Sequence, residues 1–251
     1  MSSERILFLP VLLSFLAACS IKEDRTACPC SLVLEISGLP VSPVLLEVKG
    51  EGCSITQSVH ADTVLVLSVP KGKLTVSAVG GALAQPDGAV LIPLGEEAPP
   101  LWLFHADVPA DVERVQLPVV LQKQYCTLEL RFTGPPGYGP PFEVEVEGAA
   151  DGWLQDGRPS EGSFVRRLSP GADGTAALRL PRQKDDSLLM HIVFSDRIVR
   201  SFALGSYMAA AGYDWSASGL DDLTLKVDIS LTSVSLSSGL WSRTGDIELW
   251  I

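Results

Sequence analysis

The residues of this 251-residue chain best suited to chemistry are five cysteines, three histidines and five tryptophans. A thiol can bind metal, form a disulfide or carry a covalent adduct. Cys28, Cys30, Cys53 and Cys126 form an even set, which permits disulfides in an exported protein. Cys28 and Cys30 stand too close to pair easily with each other, so one or both are expected to bond Cys53 or Cys126. Zinc is the rival use of these thiols. No further cysteine or histidine pair completes a ligand set, so no metal is expected. His60, His105 and His191 are scattered, two of them within or beside apolar runs. The chain has no Gly-x-Ser-x-Gly elbow, no His-Glu-x-x-His and no phosphate-cradling Gly-x-x-x-x-Gly-Lys. Asp185-Asp186 and Asp221-Asp222 lack the spacing of a calcium loop. Catalysis, a cofactor and a small-molecule substrate are therefore not expected.

Cys19 is a different case. Residues 1–18 have a polar start with Arg5, an apolar run from Ile6 to Phe15, then small residues. That is the order of a secretory signal, with an apolar run too short to span a bilayer. Leu16-Ala17-Ala18-Cys19 resembles the lipobox of bacterial lipoproteins, which implies cleavage before Cys19 and acylation of its thiol; the alternative is an ordinary signal peptide. Burying acyl chains contributes about 0.8 kcal/mol per methylene, so two or three chains hold a protein durably on a membrane. Residues 19–30 read as a lipidated tether. Within it, Lys22, Glu23 and Asp24 resemble the signal that sends Bacteroides-group lipoproteins to the outer face of the outer membrane. A solvated linker is the alternative for those three.

The elements that would follow the tether are short and alternating. Leu32, Leu34 and Ile36 form one such run, Val64 to Val69 another, and Leu74 to Ala78 a third. Gly and Pro cluster between runs, as at Gly38-Leu39-Pro40 and Pro70-Lys71-Gly72. Ala89 to Leu94, Leu101 to Phe104 and Val115 to Leu121 continue the pattern. Cys126 to Phe132, Phe142 to Val146, Ala176 to Leu180, Leu188 to Phe194 and Ile198 to Phe202 repeat it. Leu223 to Ile229, Ser233 to Leu236 and Asp246 to Ile251 close it. Only Gly205 to Ala211 reads as a helix. Many short strands between turn signals indicate an all-β sandwich or barrel, here divided into residues 31–122 and 123–251. The net charge of −11, without a Lys/Arg-rich stretch, argues against nucleic acid as a partner.

Five stretches carry a family resemblance. They are Phe202 to Met208, Gly212-Tyr213-Asp214-Trp215, and Leu220 to Asp228, together with the Cys19 to Cys30 segment and Leu121 to Leu130. In these the chain resembles the fimbrial anchor lipoproteins of the Bacteroides group. The resemblance implies two tandem transthyretin-like β-sandwich domains. It also implies a role at the base of a surface fimbria, holding it to the outer membrane through acyl chains and limiting its length, with fimbrial stalk subunits as partners. Subunits of such fibres are joined by strand exchange.

A sandwich lacking a strand exposes an apolar groove and unpaired backbone groups, which an added strand satisfies. The last residues here alternate, and Ile247, Leu249 and Ile251 would share one face as a candidate donor strand. The same residues could equally be the last strand of the chain's own sheet. The first strand, Ser31 to Ser37, is expected to be retained, although Arg25 offers a cleavable bond ahead of it. The rival function is a surface glycan-binding lipoprotein, with Trp153 in the polar loop Asp151 to Ser163 as the candidate sugar platform. Trp102 and Trp215, among apolar neighbours, are expected in the core.

Overall fold

The computed structural model describes residues 28–82, 89–133, 142–195 and 197–228, with the strand backbones 234–238 and 245–247. Its architecture is all-β, two sandwiches in tandem, each built around its own hydrophobic core.

In the first sandwich, β1 (Cys30–Ile36) is the middle strand of a three-stranded sheet. It pairs antiparallel with β4 (Thr63–Val69) and parallel with β8 (Arg114–Val119). The facing sheet runs in the order β3 (Cys53–Val59), β2 (Val44–Gly50), β5 (Lys73–Gly80), β7 (Trp102–Pro109) and β9 (Gln122–Lys123). Alternation along β1 turns Cys30, Leu32, Leu34 and Ile36 toward Leu46, Val48, Leu74, Val76 and Ala78 of the opposite sheet, all buried.

The second sandwich repeats this plan. Its β10 (Tyr125–Thr133) lies between antiparallel β14 (Thr175–Pro181) and parallel β17 (Leu223–Asp228). The facing sheet is β13 (Phe164–Leu168), β11 (Glu143–Gly148), β15 (Leu189–Phe194) and β16 (Arg197–Phe202). Strand for strand, β10, β11, β13 and β14 correspond to β1 to β4, while β15, β16 and β17 correspond to β5, β7 and β8. Two additions distinguish the second unit. Beyond β17 the sheet continues through β18 (Val234–Ser238) and β19 (Gly245–Ile247), both antiparallel. In addition, β6 (Val90–Leu91) from the first half pairs with β12 (Gly152–Trp153). Val90, Ile92, Ala98, Leu101 and Leu103 accordingly belong to the second core.

The one helix among the described residues, α1 (Leu204–Ala210), covers the end of this core with Leu204 and Met208. Gly205 is required there by close approach: a Cβ would stand 2.4 Å from the Asp186 carbonyl oxygen. Gly212, at φ +85°, ends the helix in the left-handed region, and its N–H donates to the Ala209 carbonyl at 2.9 Å.

Candidate functional site

The structure places the candidate cysteines apart. Cys28 is exposed, Cys30 is buried in the first core, and Cys53 is half-buried against that core. Cys126 is buried in the second core. All four are free thiols, so the expected disulfides are not formed. For Cys126 the reason is its place: a bond from it to any of the other three would have to leave the second core. Burial pushes its thiol up to about 12, against the opposing effect of a hydrogen bond with the Tyr213 hydroxyl. Burial likewise raises the Tyr213 phenol, with Cys126 beside it. Neither group is prepared for reaction at neutral pH.

Cys19, Lys22, Glu23 and Asp24 lie outside the described residues, as do Leu249 and Ile251. Ile247 closes β19, where its backbone is in register with Val234 of β18. As far as Ile247, then, the C-terminal segment is the outermost strand of its own five-stranded sheet. At the other end of the chain, β1 is seated between two strands and buries Leu32, Leu34 and Ile36. Three such side chains contribute roughly 5–9 kcal/mol. The first sandwich could therefore lose β1 only if another strand took its place.

The Gly-Tyr-Asp-Trp stretch lies in the second sandwich, just ahead of Leu220 and Asp222, which bond to Lys123 of β9. Asp214 Oδ1 accepts from the Ser216 N–H at 2.7 Å and its hydroxyl at 2.6 Å, which holds the Asp214 carboxyl below the usual range. Trp215 is buried against Tyr213 in an edge-to-face contact, with ring centroids 4.8 Å apart. Its carbonyl accepts from the buried Arg182 guanidinium, which also donates to Gln124 Oε1 at 2.9 Å and to the Ser218 carbonyl at 3.2 Å. Asp222 accepts from the Thr127 N–H at 2.6 Å and from Lys123 Nζ at 2.5 Å. Partial burial works to raise the Asp222 carboxyl, but these bonds outweigh it and hold the group below the usual carboxylate range. Lys123 also sits 4.7 Å from the centre of the Tyr125 ring.

A cleft of about 1090 Å³ opens beside this stretch, lined among others by His105, Gln122, Asp156, Arg158, Arg182 and Trp215. Its charged walls are largely paired: Arg158 with Asp156 at 2.6 Å and, beside it, Lys184 with Glu161 at 2.6 Å. Among the described residues, the tryptophans Trp102, Trp153 and Trp215 present no open ring face as a sugar platform. Trp153 is fully buried, contrary to its reading as a polar-loop residue, because β12 pairs with β6 and its indole N–H donates to the Gln124 carbonyl at 2.9 Å. Trp215 is 6% exposed, and half-buried Trp102 meets Tyr125 edge-to-face.

Surfaces that could receive another polypeptide are the sheet edges. The β8 edge carries Arg114 and Pro118, and a proline cannot donate to a ladder. In the second sandwich the β14 edge is covered from within the chain. Glu97 accepts from the Arg179 N–H at 2.7 Å and from its guanidinium at 2.6 Å, and the Ala98 N–H donates to the Arg179 carbonyl at 3.3 Å. The same segment reaches β13, where the Gly95 N–H donates to the Val165 carbonyl at 3.1 Å. The corresponding β4 edge of the first sandwich has no partner among the described residues, and its Val64 and Val66 are 60% and 67% exposed. In the sequence this strand reads as one more of the short alternating runs, which gives no sign that one of its edges is open.

No family model and no curated protein matches this chain. Solved structures do. A candidate polysaccharide-binding protein of Bacteroides thetaiotaomicron superposes with a TM-score of 0.64 at 13% identity, covering 87% of this chain and 98% of that one. A candidate adhesin of Bacteroides ovatus gives 0.59 at 15% identity, with 88% and 96% covered. The fimbrial anchor protein Mfa2 of Porphyromonas gingivalis gives 0.58 at 9% identity, with 84% and 98% covered. The fold of this chain is thus shared, over nearly the whole of each, with adhesin and fimbrial anchor proteins of this bacterial group.

Proposed function

We propose that this chain is a lipid-anchored fimbrial subunit that attaches a surface fimbria to the outer membrane, limits its length and joins other subunits by strand pairing. The observation that carries the reading is the shared two-sandwich fold, which extends over 98% of a fimbrial anchor protein. Residues 1–18 are then a signal peptide, and Cys19 carries the acyl chains. Lys22, Glu23 and Asp24 direct export to the cell surface. The interior supports a structural role: the strongly perturbed groups, Cys126 and Tyr213, are held in a core contact. In the Gly-Tyr-Asp-Trp region, Asp214 is held by Ser216 and the Tyr213 hydroxyl donates to the Asp221 carbonyl at 3.1 Å, contacts that fix a loop of the second sandwich. Strand pairing has physical support in a chain whose last described strand is outermost in its sheet.

Affinity capture of the intact protein from the cell surface tests this reading. Fimbrial subunits are expected to co-purify in stoichiometric amounts. Retention on a polysaccharide column without any fimbrial subunit would instead make it a glycan-binding lipoprotein.

A further inference from the structure

The first sandwich leaves one side open that the second closes with its own chain. Gly95 to Ala98 bridge β13 and β14, and Ala98 is fully buried by doing so. By the common topology, β3 and β4 border the equivalent side of the first sandwich, and no described segment crosses it. Leu65 and Leu67 of β4 and Ile55 of β3, although packed on the first core, stay only half-buried there. Neither β3 nor β4 contains a charged residue. The other outer strands of the four main sheets behave differently: β8 carries Arg114 and Pro118, β9 Lys123, β13 Arg166 and Arg167, β14 Arg179, β16 Arg197 and Arg200, and β19 Asp246. Sheet edges are ordinarily blunted by charge, proline or cover, because an apolar bare edge templates pairing with another chain.

We infer that the β4 edge is a self-association surface, where β4 of a second copy of this chain pairs antiparallel about a two-fold axis through Val66. Three features select a second copy as the occupant. The two-fold register sets Leu65 opposite Leu67 of the other copy, so the half-exposed leucines cover each other. On the outer face it joins Val64 and Val66 of both copies into one apolar ridge. Finally, β4 itself carries no carboxylate, so two copies of a chain of net charge −11 can pair along it without like charges meeting in the strand. The contact is isologous and closes at two copies, giving a continuous sheet in the order β8-β1-β4-β4-β1-β8.

One shared strand pair falls below the ~1,200 Å² of a standard stable interface, so association is expected to be weak and concentration-dependent. Sedimentation of the whole chain tests it, with Cys19→Ser to keep acyl chains off and Cys28→Ser to remove the exposed thiol. Between about 1 and 200 µM the weight-average mass should rise from one copy toward two, while Val64→Lys/Val66→Lys should stay at one copy at every concentration. A second variant keeps the test independent of any effect of lysine on folding. In the Val66→Cys chain the two thiols meet at the axis and should yield a 66–66 disulfide dimer on mild oxidation. Single-copy mass throughout with no 66–66 crosslink overturns the inference. So does a rise in mass that the lysine variant shares, which would assign the contact to another face.

Discussion

Glu97→Ala tests whether the cover on β14 is held by the contacts seen at that edge. The carboxylate makes two bonds to Arg179, one to the backbone N–H at 2.7 Å and one to the guanidinium at 2.6 Å. A hydrogen bond to an ionised group contributes about 1.5–3 kcal/mol net, and an exposed ion pair about 0–1. Both side chains are about a third exposed, at 36% for Arg179 and 30% for Glu97, so solvent takes up part of the loss. The expected destabilisation is about 1–2 kcal/mol. The cover itself should stay, since the Arg179 Nε–H still donates to the Ala98 carbonyl at 2.7 Å. Hydrogen exchange followed by mass spectrometry reads the site directly. The peptide containing Arg179 should exchange about five- to thirtyfold faster in native conditions, and the urea midpoint should fall. Peptides from β1 and β4 should be unaffected. Glu96→Ala is the matched control. An unchanged Arg179 amide together with an unchanged midpoint would refute the reasoning, because it would mean that the edge is not held by this carboxylate.

Two further outcomes follow from the interior. Asp222→Asn should destabilise the folded chain at neutral pH, and the gap from the parent protein should close on acidification. The sign is that of a depressed acid: its stabilisation is present above the ordinary carboxylate value of about 4 and is lost as pH falls through the lower folded value. Urea midpoints from pH 7 down to about 2.5 check this, and a gap that widens on acidification would contradict it. In thiol titration of the folded chain, Cys28 should react at once, while Cys30 and Cys126 should wait for denaturant. With its thiol near 12, Cys126 is ionised in only about one molecule in ten thousand at pH 8, besides being buried. Rapid labelling of Cys126 in the native state would show that its burial is wrong.

How much of this was legible beforehand depended on how each strand is buried. β1 and β10 announce themselves, because one face is buried between two neighbours and the apolar residues alternate without interruption. The helix lies at Leu204–Ala210, one residue from the Gly205 to Ala211 that its apolar spacing predicts. β3 and β13 went unread for a shared reason. They are edge strands, so Gln57 of β3 and Arg166 of β13, opposite buried Leu46 and Val146, occupy positions that a central strand would give to apolar residues. β2 went unread although its Leu46 and Val48 alternate into the core, since exposed Leu45 blurs its period. The run at Ala89 to Leu94 was read as a strand of the first half. Only Val90–Leu91 pair, and they pair with β12 of the second sandwich, a long-range choice that no local pattern encodes. Trp153 followed the same rule: its polar neighbours in sequence say nothing of the β6 segment that buries it. The cysteines suggested disulfides by their even number, yet a count carries no information about which core each thiol enters. Of the candidate site, the alternating end at Ile247 was visible, whereas the bare β4 edge was not, because an edge is a property of the sheet order.

The most direct measurement of the account concerns where fimbriae go when the lipid is removed. Cells expressing Cys19→Ser in place of the native chain should shed intact fimbriae into the medium, with the altered chain absent from the outer-membrane fraction. Fimbriae that stay on the cell, beside a Cys19→Ser chain that still sediments with the outer membrane, would contradict it.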